Sequence, residues 1–515
     1  MDRISELPEY IAHHILSFCN TSDAPPAELV RMSVLSKTWF HLTASFPILN
    51  FKIDNFRSRD SFFKYVEYTT SRFYHQDLTA YRFRIKATLE APAELDIVNR
   101  CLELLLKKGV TKLVIDITNS SESVIPKYRL PNILLSVSVL KYLTIRGCDL
   151  PSSLLVDALK FKSLIYLELE HVYMDEEAIK YLTASCPLLQ VLRVFYCHGF
   201  KRFCVYGHQN LQSVTIYSDS LLEKIDIEAP KLCRLVVLDY HRRGPPQITL
   251  ASCKKLRTVA YCGYPLANSN GFTDFLSNLQ FIKKLVLVTK YKYNNLKLSS
   301  NSLRTLVLNL EFDLEEIEFS TPNLDLFIYS CDPWYIRHAT SHLPHLKACM
   351  RCYPDGSIDT LWFQRLRIFL DKKNGFKALN LYINTKQKFI VLENLKAIEL
   401  PPYELEHIEL HFEHEESSDY AAFVDAVLWC CRPRSLSLRS SFSLTDFEEQ
   451  SDLVKYTYRK LLEQEDQSRT IVQIVSPSSS KARKQFWGLM PLLGGSLREE
   501  KAISFIKEEG TLFMN

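Results

Sequence analysis

Two hydrophobic periodicities divide this chain. Near its start Ile11, Ile15 and Phe18 recur at spacings of four and three, one face of a helix, with Leu7 and Leu16 beside that stripe. Pro8 suits a first helical turn, where its missing N–H costs nothing. Asn20-Thr21-Ser22-Asp23 and Pro25-Pro26 then forbid continuation, and Ala27 to Met32 resumes a helical pattern with Glu28 favourably near its N-terminus. Ser33 and Ser36 leave the next boundary open. Roughly 40 residues rarely suffice for a core of their own, so Val34, Leu35, Trp39 and Leu42 are expected to pack partly against another chain or the rest of this one.

Further along, the pattern becomes apolar-x-x-apolar-x-apolar. It starts at Leu140, Leu164, Leu189, Leu211, Leu232, Leu256, Ile282, Leu303 and Leu324, with steps of 21 to 26 residues. Such a period predicts leucine-rich repeats, each supplying one short strand and a return segment, with the apolar triplets buried between neighbours. Val110/Leu113/Ile115 extends the ladder upstream. Phe376/Leu379/Leu381, Leu395/Ile398/Leu400 and Leu405/Ile408/Leu410 extend it downstream, with Leu346/Cys349/Arg351 as a degraded unit whose Cys349 should point inward. Proline at Pro187, Pro230, Pro322 and Pro344 stands just before a strand start, where it stops the preceding segment without costing a ladder hydrogen bond. Asp175 to Thr183 reads as a return helix with Ala178, Ile179 and Leu182 on one face. Cys148 and Cys197 occupy the turn position that such repeats give to Asn or Cys.

The N-terminal string from Asp2 to Trp39 resembles a plant-type F-box: Leu7-Pro8, the Ile15-Leu16-Ser17-Phe18 helix, and Ser33-Val34-Leu35-Ser36-Lys37 closing on Trp39. Cys19-Asn20 replaces the commoner Leu-Pro, and the loop from Ser22 to Leu29 is longer than usual. The resemblance implies docking on a Skp-type adaptor and, through it, a cullin-RING ubiquitin ligase core. On the family's pattern the adaptor-binding residues would be Leu7, Pro8, Ile11, Ile15, Leu16, Val34, Leu35 and Trp39. An F-box joined to a repeat array resembles the plant F-box/leucine-rich-repeat family. The expected fold is α/β, an N-terminal helical F-box followed by a leucine-rich-repeat solenoid (horseshoe). The divisions are 1–48 for the F-box, 49–109 for a linker and N-terminal cap, 110–440 for the repeats and 441–515 for a C-terminal cap and tail.

Alternate residues of a strand face opposite sides, so the positions flanking each middle leucine form the open face. They run from charged and aromatic (Tyr142, Arg146, Tyr166, Glu168, Glu170, Arg193, Phe195, Tyr217) to aliphatic (Val236, Leu238, Val286, Val288, Val307, Leu326, Ile328). Aromatic and Arg side chains typically dominate interfaces, and an extended aliphatic patch usually marks one. The expected target-binding residues are therefore Tyr142, Tyr166, Arg193, Phe195 and Tyr217, over a floor that includes Val286 and Val288. The alternative is that this floor is covered by the segment 240–246 or by the C-terminal tail.

Composition narrows the function further. At 515 residues the chain exceeds a single-core limit that repeats do not obey. A net charge of +4 without a clustered basic face does not suggest nucleic acid. No stretch approaches the roughly 20 apolar residues of a membrane span, and Asp2, Arg3 and Glu6 do not suit a signal peptide. The fourteen cysteines of a nuclear or cytoplasmic chain should be mostly free thiols. No nucleophile elbow, Walker loop, dinucleotide fingerprint or His-Glu-x-x-His occurs, so neither catalytic residues nor a cofactor are expected. Cys349 and Cys352 with His338, His342 and His345 have metal-like ingredients but read as core thiol and surface histidine, and His407, His411 and His414 as polar surface. The helix from Tyr420 to Trp429 and the strand after it resemble the last regular repeat, Ser476 to Ser480 reads as a flexible break, and no accessory domain is expected beyond it. The function expected is the non-catalytic substrate-recognition subunit of an SCF-type ligase for an unknown target protein. A repeat-based scaffold or ligand receptor without ligase coupling is the alternative.

Overall fold

The computed structural model describes residues 7–19, 27–119, 127–150, 161–218, 221–239, 246–250, 252–263, 281–289, 295–310, 316–331, 339–340, 347–352, 360–371, 378–385, 401–412, 420–440, 447–464, 470–475 and 502–509. They fall into two units, 1–262 and 263–515. The segment 240–245, His338, His342, His345, the triplet at 395–400 and the break at 476–480 lie outside the described residues.

The first unit opens with three helices, α1 (Glu9–Cys19), α2 (Ala27–Ser33) and α3 (Lys37–Ala44). Ser36, left open as a boundary by the sequence, is the N-cap of α3: its hydroxyl accepts from the Trp39 N–H at 3.2 Å. Ala12 and Leu16, one turn apart on α1, pack with Trp39, Leu42 and Phe46, and Leu29, Met32 and Ile48 close the cluster. The helical unit thus shares its core with the first strand, β1 (Ile48–Lys52).

From there a parallel sheet grows one strand at a time. It runs β1, β2 (Arg82–Leu89), β3 (Lys112–Asn119), β4 (Tyr142–Arg146), β5 (Tyr166–Glu170) and β6 (Val191–Cys197). A short β7 (Arg202–Val205) leaves the row, which continues with β8 (Ser213–Ser218), followed by β9 (Lys224–Ile227) off it and β10 (Arg234–Asp239) on it. The N–H groups of Arg257 and Thr258 donate to Cys233 O at 3.0 Å, which brings β12 (Thr258–Gly263) alongside. Between β10 and β12, β11 (Gln247–Thr249) joins β9 and β7 in a second, three-stranded parallel sheet made by the return segments. Consecutive parallel strands need a crossover, and among the described residues it is a helix, the 3-10 turn Asn132–Ser136 or one of these short strands.

The predicted triplets line the interior. All nine, from Leu140/Leu143/Ile145 to Leu324/Phe327/Tyr329, are buried, as is Val110/Leu113/Ile115. Each fully buried Leu or Ile stabilises the stack by roughly 1.5–3 kcal/mol relative to an exposed one. The Cys148 thiol lies 3.2 Å from Arg146 O and that of Cys197 lies 3.4 Å from Phe195 O, so both thiols serve backbone groups of the turn, as their repeat position predicts. The return helix is α6 (Glu176–Ala184), whose N-cap Asp175 accepts from Ala178 N at 2.7 Å. Two glycines are obligatory: at Gly147 (φ +70°) a Cβ would meet Ile117 O at 2.6 Å, and at Gly199 (φ +104°) it would meet Met174 O at 2.5 Å.

At 49–109 the structure holds two long helices, α4 (Arg59–His75) and α5 (Pro92–Lys107), with β2 between them in sequence. Arg59 ties their starts together: its Nη2 donates to Thr88 O at 2.6 Å and to Glu94 Oε2 at 2.7 Å. Burial works against the Glu94 carboxylate, but hydrogen bonds from Arg59 and from the Glu90 and Ala91 N–H groups outweigh it and hold its pKa below the usual range.

In the second unit another parallel row runs β13 (Lys284–Thr289), β15 (Thr305–Leu310), β17 (Leu326–Cys331), β19 (Lys347–Cys352), β20 (Ala378–Thr385), β21 (Tyr403–Phe412) and β22 (Cys431–Ser440). Off this row, β14 (Asn295–Ser299), β16 (Glu316–Ser320) and β18 (Ala339–Thr340) form the return sheet. The degraded unit corrects the sequence reading by one residue. Phe327 pairs with Ala348 and Tyr329 with Met350, so Met350 is buried while Cys349 takes the opposite face. A one-residue slip exchanges the faces, and Leu346, the triplet's anchor, was the misleading signal. The last helix of the repeats spans Tyr420–Cys430 and buries Phe423, Val424 and Val427. Past it, a helix Phe447–Glu463 precedes β23 (Thr470–Val475) and β24 (Ala502–Glu509), which reverse the sheet: β24 lies antiparallel on β22 and β23 antiparallel on β24. That closing hairpin was invisible in the sequence, where the segment from Lys481 shows no pattern.

Candidate functional site

Two surfaces concentrate the residues singled out from the sequence. The first is the outside of the α1–α3 unit. Leu7 and Pro8 are exposed at the start of α1, with the Ile11 and Ala12 N–H groups donating to Pro8 O at 2.9 and 3.1 Å. Val34 and Leu35, in the turn between α2 and α3, are 78% and 66% exposed. Ile11 and Ile15 are half-buried between the two environments. Leu16 and Trp39 depart from the expectation of a binding role: at 0% and 5% exposure they are the interior of the unit and offer it shape rather than contact surface. The physical reason is that Leu16 follows Ala12 by one turn on the face turned toward α3. Tyr10, Phe18 and Phe40 are large, exposed and absent from the predicted set. Tyr10 lies off the α1 stripe whereas Phe18 ends it, so for Phe18 the helical spacing itself was the available signal. His13 joins the ends of the unit, its Nε2 lying 3.1 Å from Leu42 O and 3.3 Å from Ser45 Oγ.

The second surface is the open face of β4, β5, β6 and β8. In-register pairing aligns Tyr142 with Tyr166, Thr144 with Glu168 and Arg193, and Arg146 with Glu170, Phe195 and Tyr217. Of the predicted residues, Tyr142, Tyr166, Phe195 and Tyr217 are half-buried and Arg193 is exposed. They are organised by one buried acid that the sequence reading did not single out. Glu168 accepts from Arg146 Nη2 at 2.8 Å and from the Tyr166 hydroxyl, and Arg193 Nη1 stands 3.6 Å away. Arg146 also places its Nε 2.7 Å from Glu170 Oε2. Burial would raise the Glu168 pKa, but the hydrogen bonds from Tyr166 and Arg146 and the two guanidinium charges lower it. The Tyr166 hydroxyl is pushed up to about 12, by burial first and then by the carboxylate it donates to. Arg193 lies over the Tyr166 ring at 5.5 Å, and the Tyr142 and Tyr166 rings are 6.3 Å apart. The clue was present as opposite charges at equivalent positions of successive repeats.

At the rim of the same strands His171 and Tyr196 adopt left-handed backbone (φ 54° and 52°) and stack with ring centroids 4.9 Å apart, and Tyr196 meets Tyr217 at 4.0 Å. Val286 and Val288 belong to the second unit, where both are half-buried on β13. Along that row Val307 is half-buried and Ile328 fully buried, so the aliphatic floor is less open at Ile328 than alternation predicts. His407 Nδ1 shares a hydrogen bond with Ser435 Oγ at 2.9 Å. Among the described residues no helix is long and apolar enough to cross a membrane.

Comparison with known proteins finds matches to both the helical region and the repeat region. The F-box domain model matches residues 4–51, and the model described as FBD-associated F-box protein At5g56370, LRR repeats, matches residues 98–270. F-box/FBD/LRR-repeat protein At1g78750 of Arabidopsis thaliana is 26% identical over 321 residues, 56% of this chain and 66% of that protein. F-box/LRR-repeat protein At5g02910 of the same plant is 29% identical over 295 residues, 56% of this chain and 60% of the relative. The match thus spans under two thirds of the length of these curated relatives. With an N-terminal helical unit leading into stacked strands that bury the repeat leucines, the chain carries an F-box domain followed by LRR repeats and is similar to plant F-box/LRR-repeat proteins.

Proposed function

We propose that this protein is the substrate-recognition subunit of an SCF-type cullin-RING ubiquitin ligase, working in the nucleus or cytoplasm. The observation that carries the reading is the apolar surface left on an otherwise well-packed helical unit, with Val34, Leu35, Phe18 and Phe40 exposed around a closed core. A Skp-type adaptor docking there would remove that surface from water. The open repeat face, organised by Glu168 and its tyrosine and arginine neighbours, would hold a target protein. In this reading the chain acts by proximity, raising the effective concentration of the target near activated ubiquitin.

Pulldown with a purified Skp-type adaptor tests the reading. Wild type is expected to capture it, and Leu7→Ala with Pro8→Ala to weaken capture. Retained capture by the double variant removes Leu7 and Pro8 from the interface. No capture by wild type refutes the ligase role and leaves a repeat-based scaffold.

A further inference from the structure

The open face of the first unit is not uniform in its charge balance. On β4 to β6 every cation has an acid: Arg146 meets Glu168 and Glu170, and Arg193 meets Glu168. At the start of the same sheet the balance fails. Arg82 and Arg84 alternate on β2, facing the same side, and Lys112 on β3 is the in-register neighbour of Arg82. Neighbouring strands lie about 4.8 Å apart, so these three cations share one small area. Lys86, one step further along β2, is paired with Asp54 at 3.1 Å, and Asp116 sits in the column of Lys86 and Arg146. Among the described residues no carboxylate stands within ion-pair distance of Arg82, Arg84 or Lys112. Lys112 has instead the Tyr142 ring, at 5.5 Å.

Three buried polar atoms here lack a partner: Arg82 Nε, Arg84 Nε and, on the in-register neighbour of Arg84, Asn50 Oδ1. Two are donors and one an acceptor. The Lys112 ammonium has its pKa lowered by burial and then by the Arg82 charge, and that of Arg82 is lowered by burial and then by Arg84. The cluster therefore repels itself, and an anion would relieve it.

We propose that the face formed by Asn50, Arg82, Arg84 and Lys112 docks an acidic peptide segment of the target protein. A peptide fits the mixed set better than inorganic phosphate, because its carboxylates answer the guanidinium and ammonium groups while its backbone N–H groups answer an amide oxygen. The cluster continues the row of Tyr142 and Tyr166, so such a segment lying across the strands would run from the cations onto those rings. The inference rests on the repeat face being the target-binding surface, and it deepens that reading by naming the class of target sequence.

The test uses the purified full-length chain and fluorescence anisotropy with a short labelled Glu-Ser repeat peptide and its uncharged Gln-Ser counterpart at low ionic strength. The acidic peptide is expected to bind and the Gln peptide not to. Arg82→Gln with Arg84→Gln should weaken binding by about tenfold or more, the scale of one lost charge-assisted contact, and Arg82→Lys with Arg84→Lys should restore part of it. The exposed Lys231→Gln, on the same unit but outside the cluster, should leave binding unchanged. Adaptor pulldown of each variant separates the outcomes, since a folded F-box that captures its adaptor shows that lost peptide binding is local. The proposal is overturned if the Arg82/Arg84 double variant binds within twofold of wild type, if the Gln peptide binds equally, if neither peptide binds wild type, or if inorganic phosphate displaces the peptide as well as free Glu-Ser peptide does.

Discussion

Replacing Leu16 by Ala separates holding the F-box together from gripping a partner. Leu16 has no exposed surface and contributes to the five-residue interior of the α1–α3 unit. The substitution removes three carbons, which at about 0.8 kcal/mol each is roughly 2.4 kcal/mol of lost burial before any cavity is counted. The cavity term brings the total into a range of about 2–5 kcal/mol. Against a unit so small that its net stability is of the same order, this should open α1–α3 locally while the repeat strands stay folded. Val34→Ala with Leu35→Ala removes more carbon in total from the opposite environment, and each exposed change should cost within about 0.5 kcal/mol. Native-state hydrogen exchange read by mass spectrometry gives the answer segment by segment. Leu16→Ala should raise exchange in peptides covering Glu9–Cys19 and Lys37–Ala44 to near the unprotected rate, and Val34→Ala/Leu35→Ala should leave them protected yet abolish adaptor capture. The reasoning is refuted if Leu16→Ala leaves α1 as protected as wild type, or if the exposed pair unfolds it.

Two further outcomes follow from the ionisable groups. Glu168 has a folded-state pKa below its unfolded value, so the unfolded chain binds more protons in the window between them. Its contribution to stability is present above the ordinary carboxylate range and fades as pH falls through the depressed value; chemical denaturation between pH 7 and pH 3 should show a shallower acid loss in Glu168→Gln than in wild type, and identical slopes would sink the assignment. Burial pushes the thiols of Cys148, Cys186 and Cys197 up to about 12, whereas Cys233 is exposed. Iodoacetamide at neutral pH should therefore modify Cys233 first and leave the other three intact until denaturant is added, as peptide mapping will report.

The sequence by itself determined the architecture. A step of 21 to 26 residues between apolar triplets can be satisfied only by stacking, because no single repeat can bury its own leucines, and the nine regular triplets are interior. It also marked the helical unit, whose caps and turns are local chemistry: Ser36 and Asp175 each cap a helix through hydrogen bonds that span three residues. What it left undecided are the relations between residues far apart in the chain. Helical spacing placed Leu16 and Phe18 near one stripe, but only the packing of α1 on α3 settled that Leu16 is interior and Phe18 exposed. The register of β19 turned on pairing with its neighbours, so Met350 rather than Cys349 is interior. Charge balance belongs to the same class: Arg146 and Glu168 neutralise each other across a strand gap while Arg82, Arg84 and Lys112 do not, and composition is blind to the difference. Local pattern fixes which residues must be buried somewhere, whereas tertiary pairing decides against what, because burial free energy has no direction and hydrogen bonds and ion pairs do.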